Sequence, residues 1–128
     1  MALRFVDPDS TTTTEVDGVV FTIGFWPPRE SERIEALRSA LRRCDDKASE
    51  EARGIGIEVH LLMVEYGVRA FTDQPEGAVG KETIRGIEYS RVSGKTLRQL
   101  YLNDAIWPLG LACLRWNELS EAEKKTSA

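Results

Sequence analysis

The chain is poor in the residues that most chemistry needs. It has one histidine (His60), two cysteines (Cys44 and Cys113) and two methionines in 128 residues. A lone imidazole, with no second one at H-x-x-x-H spacing and no neighbouring thiol, does not match the ligand patterns that hold zinc. Both cysteines fall at apolar positions of helix-like segments, so they read as reduced core thiols rather than a disulfide, and they place the chain in a reducing cytoplasm. No apolar run approaches the roughly 18 residues of a membrane span. Residues 1–8 lack the charged-then-apolar order of a signal peptide. Basic charge is also short: 17 Lys and Arg against 21 Asp and Glu leave a formal net charge of −4. Nucleic-acid affinity rests on neutralised phosphates, so this balance argues against a dedicated nucleic-acid binder.

What is present is an ordinary globular composition, with length enough for one domain over residues 1–128 and a sizeable core. Residues 7–14, Asp-Pro-Asp-Ser-Thr-Thr-Thr-Thr, are polar and turn-prone, and residues 1–14 read as a mobile arm or a weak edge strand. Asp17-Gly18 is a hairpin-turn dipeptide. The alternation of Val19, Phe21 and Ile23 with Val20, Thr22 and Gly24 then gives a strand with one apolar face. Pro27-Pro28 ends it and opens a helix, where Ile34, Leu37, Leu41 and Cys44 recur at helical spacing. Residues 45–53 would extend that helix or form a loop.

Residues 54–67 are ambiguous. Ile55, Ile57, Val59, Leu61 and Met63 alternate as in a strand, while Ile57, Leu61 and Val64 make a helical stripe. Length favours a helix ending at Gly67 as its C-cap. Val68–Phe71 reads as a short strand, residues 73–80 as a loop, and a second strand centres on Ile87-Glu-Tyr89. Thr96 with Gln99 forms a capping-box signature, Pro108 kinks or restarts the helix, and Asp104 is the expected N-cap of the second piece. Ser120 with Glu123 predicts a further short helix or tail over residues 120–128. The expected fold is α+β: a small N-terminal β-hairpin and middle strands packed on a helical core, with a C-terminal helical segment.

Motifs for catalysis fall short. Ser93-Gly-Lys-Thr96 resembles the tail of a phosphate loop, but Tyr89 stands where that loop needs glycine. Gly54-Ile-Gly56 opens a dinucleotide fingerprint that Val59 breaks. His60, between Val59 and Leu61, has no nucleophile to activate and reads as a structural residue. Carboxylate pairs such as Asp45-Asp46 and Glu50-Glu51 sit in charged, solvated surroundings. The sequence therefore points to no catalytic, cofactor-binding or metal-ligating residue, and to a protein that is not an enzyme.

The distinctive stretch is the last quarter. Ile106, Leu109, Cys113 and Trp116 line one helix face, and Leu111 and Leu114 widen it. A helix apolar over so much of its girth is either central or shared with a partner. Tryptophan is enriched at interface hot spots. Trp107, Leu111, Leu114, Trp116 and Leu119, rimmed by Glu118–Lys125, are the candidate partner-binding residues.

The run Ala105-Ile-Trp-Pro-Leu-Gly-Leu-Ala-Cys-Leu-Arg-Trp-Asn-Glu-Leu-Ser-Glu-Ala-Glu-Lys-Lys125 resembles the C-termini of small proteins encoded among bacteriophage head and tail genes, which end in an apolar helix followed by Asn-x-Leu-Ser-Glu-x-Glu. The strand at Val19–Ile23 with its Glu- and Arg-rich helix, and the hairpin around Gly67–Phe71 and Ile87–Tyr89, are similar to their N-terminal and middle parts. The tail assembly chaperone-like proteins of long-tailed phages are the named class it resembles most. That resemblance implies a non-enzymatic morphogenesis protein, working in the bacterial host cytoplasm or carried in the virion. It would shield apolar surface on a tail-tube or tape-measure protein. The alternative it leaves open is a structural virion component, whose Thr-rich arm would order against a neighbouring subunit. Either way the partners are other phage proteins or further copies of the chain, with no nucleic acid and no membrane.

Overall fold

The computed structural model describes residues 9–126, with side chains described for residues 9–118. In chain order the elements are β1 (Thr12–Val16), β2 (Val19–Ile23), α1 (Pro28–Arg43), α2 (Glu50–Gly67), β3 (Val68–Phe71), β4 (Val79–Ile84), β5 (Ile87–Val92), α3 (Gly94–Leu102) and α4 (Ile106–Thr126). The fold is α+β with an N-terminal hairpin, as the sequence pattern leads one to expect. Two small antiparallel sheets, ordered β1-β2-β3 and β4-β5, pack with the helices.

Both hairpins are set by the same device. Asp17 and Gly18 have φ of 51° and 80°, and Arg85 and Gly86 have 50° and 80°. Positive φ at both turn residues matches the right-handed twist of the flanking strands and closes a two-residue loop. The first turn fixes the register from Val16↔Val19 to Thr12↔Ile23, and the second from Ile84↔Ile87 to Val79↔Val92. With that register, alternation sends Phe21 and Ile23 into the core and leaves Val20 outside. Strand β4 is an addition to the expected pattern, because its sequence, Val-Gly-Lys-Glu-Thr-Ile, begins inside the glycine-marked segment read as a loop.

Helix α2 is the central element, with α1, α4 and β5 packed around it. Residues 54–67 are helical, so length outweighs the β-branched alternation. Ser49 starts the helix, its Oγ accepting the Ala52 N–H at 3.1 Å. Val59, Leu62, Met63, Val64 and Tyr66 are buried on it. The segment after Cys44 does not lengthen α1, and residues 44–49 are a connection. Gly67 is needed for a reason other than the C-cap expected. Its φ is not positive, and the chain runs directly from α2 into β3. A Cβ there would lie 2.6 Å from Cys113 Sγ and 3.0 Å from Trp26 Nε1. The missing side chain lets α2 approach α4.

The C-terminal third departs from expectation in its punctuation. The cap of α3 is Ser93, not Thr96: Ser93 Oγ accepts the Thr96 N–H at 3.2 Å, and the two hydroxyls bond at 2.9 Å. Asp104 does not cap α4. It takes a left-handed φ of 58° in the reversal between the helices, and the Ala105 N–H bonds back to Leu100 O at 2.9 Å. Pro108 lies in the first turn of α4, where a missing N–H costs nothing, so it marks a start and not a kink. Helix α4 then continues unbroken through Asn117 and Ser120 to Thr126, in place of a separate terminal helix. Of the N-terminal arm read over residues 1–14, residues 12–14 belong to the edge strand β1, while residues 1–8 lie outside the described residues. Among the described residues, no helix is long and apolar enough to cross a membrane.

Candidate partner-binding surface

The five candidate contact residues do not form one patch. Trp107 and Trp116 are nine residues apart, about two and a half turns, so they leave α4 on opposite sides. Trp107 is half-buried, with its ring centroid 4.8 Å from that of His60. His60 is held in turn by its Nδ1, 2.8 Å from Gly56 O. Gly110 makes room for this imidazole, since a Cβ there would meet His60 Cδ2 at 2.7 Å. Trp116 is half-buried and stacks on Phe25, with centroids 5.4 Å apart and planes inclined by 16°. Its indole N–H is buried without an acceptor among the described residues. Leu114 is half-buried against the core. Leu111 is 45% exposed. The side chain of Leu119 lies outside the described residues.

Other apolar residues are open as well. Leu102 is 62% exposed and Tyr101 is 38% exposed at the end of α3, and Pro108 is exposed in the first turn of α4. Leu97, Leu100 and Tyr101 carry the helical apolar spacing of α3, and Leu102 stands beside that run without belonging to its pattern.

Two polar links fix this end of the molecule, and neither was legible as such in the sequence. Asn117 Oδ1 accepts the Trp26 N–H at 3.1 Å, and its Nδ2 donates to Cys113 O at 2.8 Å. It ties α4 to the joint between β2 and α1, from 91 residues away. Arg69 donates to Tyr66 O at 3.0 Å and to Phe25 O, and its guanidinium lies 6.0 Å from the Tyr89 ring centroid. Burial lowers the Arg69 pKa, opposed by its proximity to Cys113 and Tyr89. Burial pushes the Cys113 thiol up to about 12, with the Arg69 charge pulling the other way.

Among the described residues, no group of three His, Cys, Asp or Glu side chains is placed to hold a metal ion. Glu30 is fully buried at the start of α1; its Oε1 receives Arg29 Nε at 3.1 Å and Nη2 at 2.9 Å, while Oε2 has no partner. A polar cleft of about 510 Å³ lies beside the β4–β5 hairpin, with Glu65, Lys81, Glu82 and Arg91 on its walls. Arg91 is taken up there by Glu65 at 2.6 Å and lies 5.5 Å from the Tyr66 ring centroid. A more apolar groove of about 470 Å³ runs between Phe71, Pro75 and the Lys95–Leu100 side of α3. The Ser93–Thr96 segment thus serves as a turn and helix cap.

No protein-family model matches the chain, no curated protein is detectably similar to it in sequence, and no solved structure matches its fold.

Proposed function

We propose that the chain is a non-enzymatic phage morphogenesis protein of the tail assembly chaperone-like kind, which covers apolar surface on tail-tube or tape-measure subunits before they assemble. The observation that carries this reading is the apolar surface left open at the α3–α4 corner, where Leu102 is 62% and Leu111 45% exposed. Assembly intermediates expose apolar surface that associates nonspecifically until it is paired. Leucine side chains held on two rigid helices would bury such surface, and the chain's net charge of −4 would keep the complex soluble. A moderate grip suits the role, because the cover must leave as the tube polymerises. The C-terminal resemblance described above supplies the phage context.

The test is co-expression with a tail-tube or tape-measure subunit. The chain keeps that subunit soluble and copurifies with it, and Leu102→Asp with Leu111→Asp abolishes both effects without unfolding the chain. A subunit equally soluble without the chain refutes the reading. The open edge of β1 favours a second reading, a structural virion component. Mass spectrometry of purified particles separates the two: many copies per particle support the second, and none supports the first.

A further inference from the structure

A cavity of about 210 Å³ lies between the first hairpin and α4, walled by Thr12–Thr14, Ile23, Ala112, Arg115 and Trp116. Strand register decides which side chains reach it. Thr12 is opposite Ile23 and Thr14 is opposite Phe21. Paired residues share a sheet face, so both threonines stand on the side of the buried Ile23 and of α4. Thr13 and Glu15 project from the other face, where both are exposed. On α4, Arg115 and Trp116 follow Ala112 at helical spacing, so one side of the helix presents all three. The polar groups gathered here are one-sided. A guanidinium and an indole N–H can only donate hydrogen bonds, and a threonine hydroxyl turns to donate as readily as to accept. Arg115 is exposed and has no ion-pair partner among the described residues. The nearest acid along α4, Glu118, is engaged with Arg38 at 3.1 Å. Trp116 Nε1 is buried with no acceptor among the described residues, which costs that donor the water it has lost. No carboxylate stands among the wall residues.

We infer that this cavity is a binding site for a small monocarboxylate carrying a short aliphatic group. A carboxylate meets a guanidinium through two parallel N–H···O bonds, which fits the open Arg115. The hydroxyls of Thr12 and Thr14 and the indole N–H of Trp116 supply further donors on the same cavity. One cation on the walls balances one negative charge, so a carboxylate is favoured over a phosphate dianion. Ile23, Ala112 and the Trp116 ring make the rest of the wall apolar, and an aliphatic group gains from burial against them where a bare ion does not. The cavity is smaller than the roughly 300–1,000 Å³ of pockets for drug-sized ligands, which holds the aliphatic part to a few carbons. This site does not depend on the chaperone reading.

Butyrate is the probe. The chain has three tryptophans, so its indole N–H groups give separate proton–nitrogen resonances, and Trp116→Phe identifies the one at the cavity. The full chain is titrated with butyrate to about 50 mM, with chloride holding the ionic strength, a range that covers the weak affinity of so small a ligand. The Trp116 resonance moves downfield and saturates. The Trp26 resonance stays in place, because its N–H is already bonded to Met63 O at 2.9 Å. Arg115→Gln keeps the fold, since the side chain is exposed, and weakens butyrate binding about tenfold or more. Glu15→Gln, on the far sheet face, leaves it unchanged. Phosphate at the same concentrations gives no saturating shift. A Trp116 resonance that stays still, or drifts without saturating, overturns the proposal. So does an Arg115→Gln variant that binds butyrate as tightly as wild type, or phosphate that binds as well as butyrate.

Discussion

Replacing Gly67 by alanine is the sharpest test of how the helices meet. An added Cβ would sit 2.6 Å from Cys113 Sγ, 3.0 Å from Cys113 Cβ and 3.0 Å from Trp26 Nε1. None of these atoms is the free end of a flexible side chain. Cys113 is fully buried, and the Trp26 indole N–H is committed to Met63 O at 2.9 Å. Overpacking of this kind costs about 1–3 kcal/mol, and this site belongs at the upper end. Alanine recovers up to about 1 kcal/mol over glycine in a helix. The net expectation is a loss of about 2 kcal/mol. With a urea m-value of about 1.5 kcal/mol/M, that lowers the unfolding midpoint by more than 1 M at unchanged m. Gly54 is the internal control: it is exposed on the same helix with nothing within 4 Å of an added Cβ, so Gly54→Ala should gain about 0.5–1 kcal/mol. Combining Gly67→Ala with Cys113→Ala should recover about 1 kcal/mol beyond additivity, because the nearest clash is removed. The reasoning fails if Gly67→Ala is neutral or stabilising, or if the double variant shows no coupling.

Three further outcomes follow from the same contacts. Asn117→Ala should cost about 1–2 kcal/mol, because it strips a partner from the Trp26 N–H and one from Cys113 O, and a urea titration reads it directly. Arg69→Met should cost about 1–3 kcal/mol by the same measurement, since the Tyr66 and Phe25 carbonyls lose their shared donor. The Cys113 thiol, raised from 9.0 to about 12 by burial, favours the folded chain only while it stays neutral. Its contribution is whole below pH 9 and is lost as pH climbs through about 12, so wild type should lose stability over that window more steeply than Cys113→Ala. A thiol reagent at neutral pH should label half-buried Cys44 in the native chain and reach Cys113 only in denaturant.

Much of the local structure was legible in the sequence because its causes are local. Asp17-Gly18 fixes the first hairpin through backbone φ, and Pro28 with Ile34, Leu37 and Leu41 fixes α1 through spacing. Val68–Phe71 is a strand as read. The misread points are those where a neighbour in sequence competes with one in space. Thr96-Gln99 satisfied a capping pattern, yet Ser93, just ahead of α3, takes the free N–H of Thr96 itself. Ser120-Glu123 satisfied it too, but α4 was already running and had no free N–H to cap. The candidate contacts were chosen by residue type along one helix. Trp107 and Trp116 turn out to face His60 and Phe25 on opposite sides, while Leu102, which carried no motif, is the most open of the large apolar residues among those described.

By itself the sequence determined the α+β class and the glycine-closed turn at Asp17-Gly18, and its length argument favoured a helix over residues 54–67, because propensity, period and positive φ act over a few residues. Only the tertiary structure decided that Gly67 is a point of helix contact, that Asn117 joins elements 91 positions apart, and that Leu111 and the β1 edge face solvent. Burial and pairing across long separations depend on how the elements pack against one another, and no window along the chain contains that information.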